Sequence, residues 1–140
     1  MKKELENKLA NEYPKIFANI NKGMQESAMY WGFGHKDGWY WLIDNLCHTI
    51  QSYIDLNTHL NIEQVTATQV KEKFGILRFY YTGGDKCIDG MVALAESMSS
   101  NICENCGSTE NIGKTKSWIK TLCKTCADKE NRTDWEQNPQ

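Results

Sequence analysis

The sequence has no long apolar run and little proline. No stretch of about 18 consecutive apolar residues occurs in the chain, so we expect no membrane span. The first residues, MKKELENK, contain no apolar segment of the kind that a secretory signal requires. We therefore expect a protein of the cytoplasm, where cysteines stay reduced or bind metal.

An excess of positive charge is also missing. The formal net charge is −2, and the segment from Cys103 onward carries six Lys or Arg residues against six Asp or Glu residues. Proteins that hold nucleic acid through its phosphates need a surplus of cations. Nucleic acid is therefore a less favoured partner than a small molecule or a protein.

Four of the six cysteines form two Cys-x-x-Cys pairs. Cys103 and Cys106 are followed by Gly107, and fifteen residues then separate Gly107 from Cys123 and Cys126. The spacing indicates a zinc site, because each tight turn presents two sulfurs and Zn²⁺ prefers four tetrahedral ligands. All four ligands are cysteine, which leaves no position for a substrate water, so we predict structural Zn²⁺. Two disulfides, or four unrelated thiols, are the alternatives.

Apolar residues recur at helical spacing over residues 2–20, where Pro14 interrupts the pattern. We expect one helix to about Glu12 and a second, short helix with Pro14 in its first turn. Residues 21–38 show no period and contain four glycines, which predicts a loop.

Residues 38–56 form the strongest predicted helix, because their apolar side chains make one continuous stripe. Asp37 is its expected N-cap, and Asp85 is the expected N-cap of a further helix that ends near residue 100. Cys47 and Cys87 fall in these two helices, and we predict that both are small buried apolar residues.

Between these helices the sequence changes to the alternating pattern of strands. Residues 65–70 and 76–81 are predicted to form a β-hairpin with a loop of four or five residues. Residues 117–122 are predicted to be the second strand of a zinc ribbon. Trp118 and Trp135 are expected to pack on that ribbon.

These elements predict an α+β fold, with helices packed on a β-hairpin and a C-terminal zinc ribbon. We place an α+β domain at residues 1–100, a zinc-ribbon module at residues 101–130 and a polar, frayed tail at residues 131–140. The oligomeric state does not follow from the sequence, and a homo-oligomer stays open.

Aromatic and cationic side chains form the candidate binding site. Residues 31–39, WGFGHKDGW, are a glycine-rich loop before a helix, where backbone amides can meet an anion and rings can stack on a planar ligand. The outer face of the helix adds two rings, and the hairpin adds cations and a tyrosine. The predicted ligand-binding residues are Trp31, His35, Lys36, Asp37, Trp39, Tyr40, Trp41, Lys71, Lys73, Arg78 and Tyr80. The alternative is a structural loop whose rings fill the core.

Two further features bear on chemistry. Arg78 is one of two arginines, and its guanidinium could hold a phosphate or carboxylate bidentately, although it could equally face solvent. Asp44 and His48 lie four residues apart on the outer helix face, where a carboxylate could orient an imidazole. No nucleophile accompanies them, so a small hydrolase is the least favoured function.

Several segments, in this order, are similar to those of one group of proteins. They are YPxxF at 13–17, WGxxxxDGW at 31–39, QVKEKFGxLRFY at 69–80 and CExCG at 103–107. Over nearly its whole length the chain resembles a widespread family of short, uncharacterised phage, prophage and bacterial proteins. Members often carry ECGDG where this chain has GHKDG, which leaves Asp37, Gly38 and Trp39 as the matching core.

The resemblance implies an origin in a phage or mobile element but no known activity. Small accessory proteins of this origin often bind host factors or signalling nucleotides. We therefore expect a non-catalytic binding protein that sequesters a nucleotide-derived signal, or a host protein, as a counter-defence. An adaptor that binds protein or nucleic acid through the zinc ribbon is the alternative.

Overall fold

A computed structural model describes residues 1–139 as an α+β protein with two apolar cores. The larger core belongs to three helices and a β-hairpin, and the smaller one to a three-stranded sheet with a short helix. The helices are α1 (Lys3–Glu12), α2 (Tyr40–Leu56), α3 (Lys86–Ser99) and α4 (Lys124–Lys129). The strands are β1 (Thr66–Lys73), β2 (Ile76–Thr82), β3 (Ile112–Thr115), β4 (Thr121–Cys123) and β5 (Trp135–Gln137). The predicted fold class, helices with small antiparallel sheets, is confirmed.

Strands β1 and β2 form the antiparallel hairpin, with Lys73 opposite Ile76. Only Phe74 and Gly75 connect them, at φ of 54° and 73°. Positive φ at both central residues is the conformation of a type I′ turn, whose twist suits a two-residue hairpin. The predicted loop of four or five residues was too long, because β1 continues through Lys73 before the chain turns.

The larger core confirms the apolar stripe of α2. Ile43, Leu46, Cys47 and Ile50 of α2 are buried, α2 packs against α3, and α3 packs against β2. The predicted alternation of β2 also holds, since Leu77 and Phe79 are buried while neighbouring residues are half-buried or exposed. Burial of each such large apolar side chain contributes roughly 1.5–3 kcal/mol.

Three further predictions in this part were wrong. Residues 13–20 form turns and no second helix, because Tyr13, the residue before Pro14, leaves the helical conformation. Asp37 does not cap α2: a 3₁₀ turn, Asp37–Trp39, precedes the helix, and the Asp37 carboxylate accepts from the Lys2 amide at 2.7 Å. Cys87 is exposed, since it lies on the outer face of α3, whereas Cys47 is buried as predicted.

Asp85 caps α3 as predicted. Its carboxylate accepts from the backbone amides of Cys87 and Ile88 at 3.0 and 3.1 Å, which satisfies two free donors of the first turn. The cap sets where α3 begins, directly after the hairpin.

In the smaller core the strand order is β4-β3-β5, and all pairs are antiparallel. Strand β5 lies within the predicted polar tail, so that prediction was wrong for residues 135–137. Trp135 is half-buried and its indole donates to the Leu122 carbonyl at 2.9 Å, which confirms its packing. Trp118 is instead 70% exposed, because β4 begins only at Thr121 and residues 117–120 form a loop.

The two cores adjoin through hydrogen bonds to backbone carbonyls. The Gly38 amide donates to the Glu104 carbonyl at 2.7 Å, and the Trp39 indole donates to the Ile102 carbonyl at 3.0 Å. On the hairpin side, the Thr121 hydroxyl donates to the Gly75 carbonyl at 2.6 Å. The division of the chain at residue 100 stays a prediction, and these contacts join the parts on either side of it.

No helix within residues 1–139 combines the length and the apolar composition needed to cross a membrane.

Gly38 should not tolerate any side chain, not even a methyl group. A Cβ there would lie 2.1 Å from the Cys103 carbonyl oxygen and 2.6 Å from the Gly107 nitrogen, both backbone atoms. We expect Gly38→Ala to lower the free energy of unfolding by about 2–3 kcal/mol, as overpacking does. Urea denaturation followed by circular dichroism measures the change.

Gly90→Ala is the matched control, because Gly90 lies in α3 and a Cβ there would meet no atom within 4 Å other than the adjoining residues and the local helix backbone. It should stabilise the protein by about 0.5–1 kcal/mol through helix propensity alone. If both substitutions changed stability equally, the close contact between Gly38 and the cysteine-bearing segment would be wrong.

Candidate functional site

The four cysteines of the two Cys-x-x-Cys pairs converge on one point. The sulfurs of Cys103, Cys106, Cys123 and Cys126 all lie within 4.8 Å of one another. The Cys106 and Cys123 sulfurs are 3.7 Å apart, far longer than the roughly 2.05 Å of a disulfide. Sulfurs about 2.3 Å from a tetrahedral ion would be roughly 3.8 Å apart. The cluster can therefore bind one metal ion without a large rearrangement.

Local hydrogen bonds shape each pair. The Gly107 amide donates to the Cys103 carbonyl at 2.9 Å, and Gly107 adopts a φ of 81° that closes this turn without a Cβ clash. In the second pair, the Cys126 amide donates to the Cys123 sulfur at 3.4 Å, at the start of α4. We call residues 103–107 the cysteine turn.

Burial raises the pKa of the Cys103 and Cys126 thiols. A metal ligand must be a thiolate, so metal uptake would release protons from these sulfurs. Three of the four cysteines are buried and only Cys106 is exposed, which shields the cluster from solvent on most sides. The donor set, four soft sulfurs, fits Zn²⁺ and leaves no ligand position open.

The predicted ligand-binding loop, residues 31–39, packs on the cysteine turn. Besides the Gly38 contact, the Lys36 amide donates to the Glu104 carboxylate at 3.1 Å. Glu104 is buried, and burial raises the pKa of its carboxyl group. One side of the loop is thus fixed to the segment that carries two of the cysteines.

The other side of the loop is fixed to the hairpin and to α1. Gly34 bridges β1, donating to the Val70 carbonyl and accepting from the Glu72 amide, both at 2.9 Å. The Phe33 amide donates to the buried Glu6 carboxylate at 3.0 Å. These contacts favour the alternative interpretation of the loop as a structural connection between three parts of the fold.

The aromatic residues within the loop lie mostly in the core. Trp39 is fully buried, and the buried His35 ring lies between Phe33 and Trp39, with centroid separations of 5.8 and 5.6 Å. Burial lowers the pKa of His35 to about 4, so its ring is neutral at pH 7. His35 and Trp39 therefore offer neither charge nor a free ring to a ligand, contrary to their predicted role.

The exposed members of the loop lie apart from these rings. Trp31 is exposed and stacks edge-to-face on Tyr30, with ring centroids 5.3 Å apart. Lys36 and Asp37 line a separate cavity of about 420 Å³, where Asp37 pairs with Lys2. Desolvation alone would raise the pKa of the Asp37 carboxyl, but the hydrogen bond from the Lys2 amide and the Lys2 charge together lower it.

On α2, Trp41 is exposed as predicted, but Tyr40 is buried. Both line a cavity of about 330 Å³ that also contains Asp44 and His48. The Tyr13 hydroxyl donates to Asp44 at 3.0 Å, and burial with this contact raises the pKa of Tyr13. Asp44 is thus engaged by a tyrosine, and no hydrogen bond joins it to His48 in the described chain.

The hairpin residues are divided between its faces. Lys71 and Tyr80 line a cavity of about 420 Å³, with the ammonium 5.8 Å from the ring centroid. Lys73 lines a different cavity, near the turn. The Arg78 guanidinium is 2.8 Å from a Glu96 oxygen, and the other Glu96 oxygen accepts the Phe79 amide at 3.0 Å. An internal carboxylate therefore occupies the position predicted for a ligand anion.

The predicted ligand-binding residues thus do not line one pocket. Three separate cavities are each lined by two of them, Lys36 with Asp37, Tyr40 with Trp41, and Lys71 with Tyr80, and Lys73 alone lines a fourth. Prediction from the sequence missed Phe74, whose exposed side chain lies beside Trp118 and Ile119 in the cavity that Lys73 lines. An aromatic residue directly before the turn glycine was the available signal.

Comparison with protein-family models, curated proteins and solved structures gives no match to this chain. The resemblance to short phage and bacterial proteins stays a prediction from its motifs.

The neutral, buried state of His35 has a consequence for stability. In the unfolded chain the imidazole takes up a proton near pH 6.5, whereas in the folded chain it does so only near pH 4. The unfolded state therefore binds more protons between these values. Lowering the pH from 7 to 4 should reduce the free energy of unfolding by up to about 3 kcal/mol through His35.

Urea denaturation at a series of pH values measures this contribution as the difference between wild type and His35→Phe. The free energy of unfolding of the variant should fall less steeply between pH 7 and 4, because the contribution of His35 is absent. His59→Phe, at an exposed position in a 3₁₀ turn, is the control and should keep the wild-type slope. A His35→Phe curve parallel to that of wild type would mean that His35 is not buried in its neutral form.

Proposed function

We propose that this protein is a non-catalytic binding protein whose fold depends on a structural Zn²⁺ and which acts by contacting another protein. The convergence of four cysteine sulfurs within 4.8 Å carries the proposal. A site of this composition contributes to folding and offers no open position to a substrate.

The identity of the metal follows from donor chemistry. Four thiolates select soft or borderline ions, and a closed tetrahedral set of cysteines is the usual structural site for Zn²⁺. The sulfurs come from the cysteine turn and from the junction of β4 with α4, beside a small antiparallel sheet. We assign this arrangement to a zinc ribbon extended by a third strand, β5.

The dispersal of the predicted ligand residues supports a protein partner over a nucleotide. A nucleotide needs rings and cations in one pocket, whereas a protein partner can use exposed side chains spread over a surface. Trp31, Trp41 and Trp118 are all exposed, and Trp41 and Trp118 line different cavities. The net charge of −2 supports protein over nucleic acid.

One observation favours the nucleotide hypothesis as the second candidate. Lys71 and Tyr80 lie together in a cavity of about 420 Å³ that Asn19 and Gln69 also line. A base could stack on the ring while the ammonium holds a phosphate. Heat on titration with cyclic or linear nucleotides, lost in Lys71→Ala, would favour this candidate over a protein partner.

An accessory role in a phage or mobile element is supported by the motif resemblance alone. A hydrolase has less support, because the Asp44 carboxylate is engaged by Tyr13 and the four cysteines form a complete ligand set. The proposed counter-defence role is therefore that of a protein that binds, and holds, a host factor.

Purified protein should contain one zinc ion per chain, measured by elemental analysis. Replacing one ligand in Cys106→Ser should lower the metal content and the unfolding temperature, because a four-ligand site loses a quarter of its donors. Cobalt substitution should give the absorption of a tetrahedral thiolate complex.

Cys87→Ser is the control, since Cys87 is exposed on α3 outside the cluster. It should keep full metal content and unaltered stability. Wild-type protein that is folded and free of metal, with four titratable thiols or two disulfides, would contradict the structural role of zinc.

A further inference from the structure

Three exposed apolar side chains from distant parts of the chain meet at the hairpin turn. Phe74, Trp118 and Ile119 line a cavity of about 310 Å³ together with Glu72, Lys73 and Ser117. Phe74 is 66% exposed and Trp118 is 70% exposed. We call these six residues the ring cleft. It spans the junction between the hairpin and the cysteine-bearing part of the fold.

Phe74 occupies a backbone conformation that suits it poorly. Its φ of 54° lies in the left-handed region, which asparagine and glycine adopt readily and large side chains rarely do. The exposed ring gains no core burial that would offset this strain. Strained residues of this kind concentrate at functional sites.

The backbone beneath Trp118 is held firmly. The Trp118 carbonyl accepts from the Thr115 hydroxyl at 2.6 Å and from the Arg132 guanidinium at 3.1 Å. The neighbouring Ser117 amide and hydroxyl donate to Asp134 at 2.8 and 2.6 Å, and Arg132 pairs with Asp134 at 3.0 Å. A fixed loop that presents an exposed ring loses little conformational entropy on binding.

We propose that the ring cleft is a docking site for an extended segment of a partner protein, in which an apolar side chain adjoins an acidic one. The inference rests on the proposed function, since it names where and by what chemistry a protein partner is recognised. The apolar side chain packs against Phe74, Trp118 and Ile119, and the carboxylate pairs with Lys73.

Charge supports an acidic segment. Lys73 lies 5.7 Å above the Phe74 ring and makes no ion pair within residues 1–139. The other charged group of the cleft, Glu72, is engaged, because its carboxylate accepts the Gly75 amide at 2.6 Å. Lys116, which precedes Ser117 in the chain, is paired with Glu136 at 2.5 Å and is not a second free cation. The Gly75 amide is neutral and leaves the Glu72 carboxylate charged, so the cleft carries one charge of each sign, and Lys73 is the one that no hydrogen bond or ion pair engages within residues 1–139.

Size supports a segment of chain over a second folded copy. The cleft of about 310 Å³ is lined by six residues, whereas stable association of folded proteins uses roughly 20–30 residues on each partner. An extended peptide gains affinity from one or two anchored side chains in a preformed cleft.

Selection of random peptides of about 12 residues on the zinc-loaded full-length protein tests the proposal. The enriched sequences should place an aromatic or branched aliphatic residue beside Asp or Glu. Synthetic versions, measured by fluorescence anisotropy, should bind at least about tenfold more weakly to Trp118→Ala and to Phe74→Asn. Lys73→Glu should weaken the binding of the acidic peptides and strengthen the binding of the same peptides with Lys in place of the acidic residue.

Phe74→Asn separates binding from folding. Asparagine tolerates positive φ, so this variant should keep or raise the unfolding temperature while binding is lost. Leu56→Ala, at an exposed position at the end of α2, is the matched control and should leave peptide affinity within about twofold of wild type.

Three results would overturn the proposal. Peptides whose affinity depends on Trp41 or on another face, and not on Trp118, would exclude the ring cleft as the docking site but would still agree with the proposed function. Enrichment of no peptide at all would contradict both the docking site and the proposed function. Binding of single-stranded DNA of about 12 thymidines that requires Trp118 and weakens with salt, without peptide binding, would assign the cleft to nucleic acid.

Discussion

The backbone contact between Gly38 and the cysteine turn is the constraint from which most of the structure around the candidate site follows. The Gly38 amide bonds the Glu104 carbonyl, and its α-carbon lies too close to the Cys103 carbonyl for any side chain. Since residues 31–39 also bridge β1 at Gly34, the cysteine turn, the loop and the hairpin have one fixed arrangement. A metal that fixes the cysteine turn would therefore also stabilise the position of the loop and the hairpin in the larger core.

The sequence predicted the features that rest on local spacing. Two Cys-x-x-Cys pairs give a ligand set without knowledge of the fold, and the apolar stripe of α2 depends only on helical periodicity. Features set by tertiary contacts were missed. β5 forms because β3 offers it a pairing edge. Asp37 accepts from the Lys2 amide and does not cap α2, because the start of α1 lies beside it.

The candidate ligand site was the least predictable part, because the sequence does not show which group an aromatic or charged side chain contacts in the folded protein. Arg78 is paired with Glu96, which lies on a helix 18 residues away, and His35 and Trp39 fill the core. The ring cleft shows the converse. Phe74 and Trp118 are 44 positions apart in the printed chain, and they meet beside the point where the Thr121 hydroxyl donates to the Gly75 carbonyl.

Hydrogen exchange of the backbone amides, measured with bound metal and after its removal by a chelator, tests most directly whether the cysteine cluster organises the wider fold. The account predicts that metal removal lowers the protection of the cysteine turn, and also of the Gly38 amide and of the hairpin residues next to Gly75. Loss of protection confined to residues 103–126, with the Gly38 amide unchanged, would contradict it.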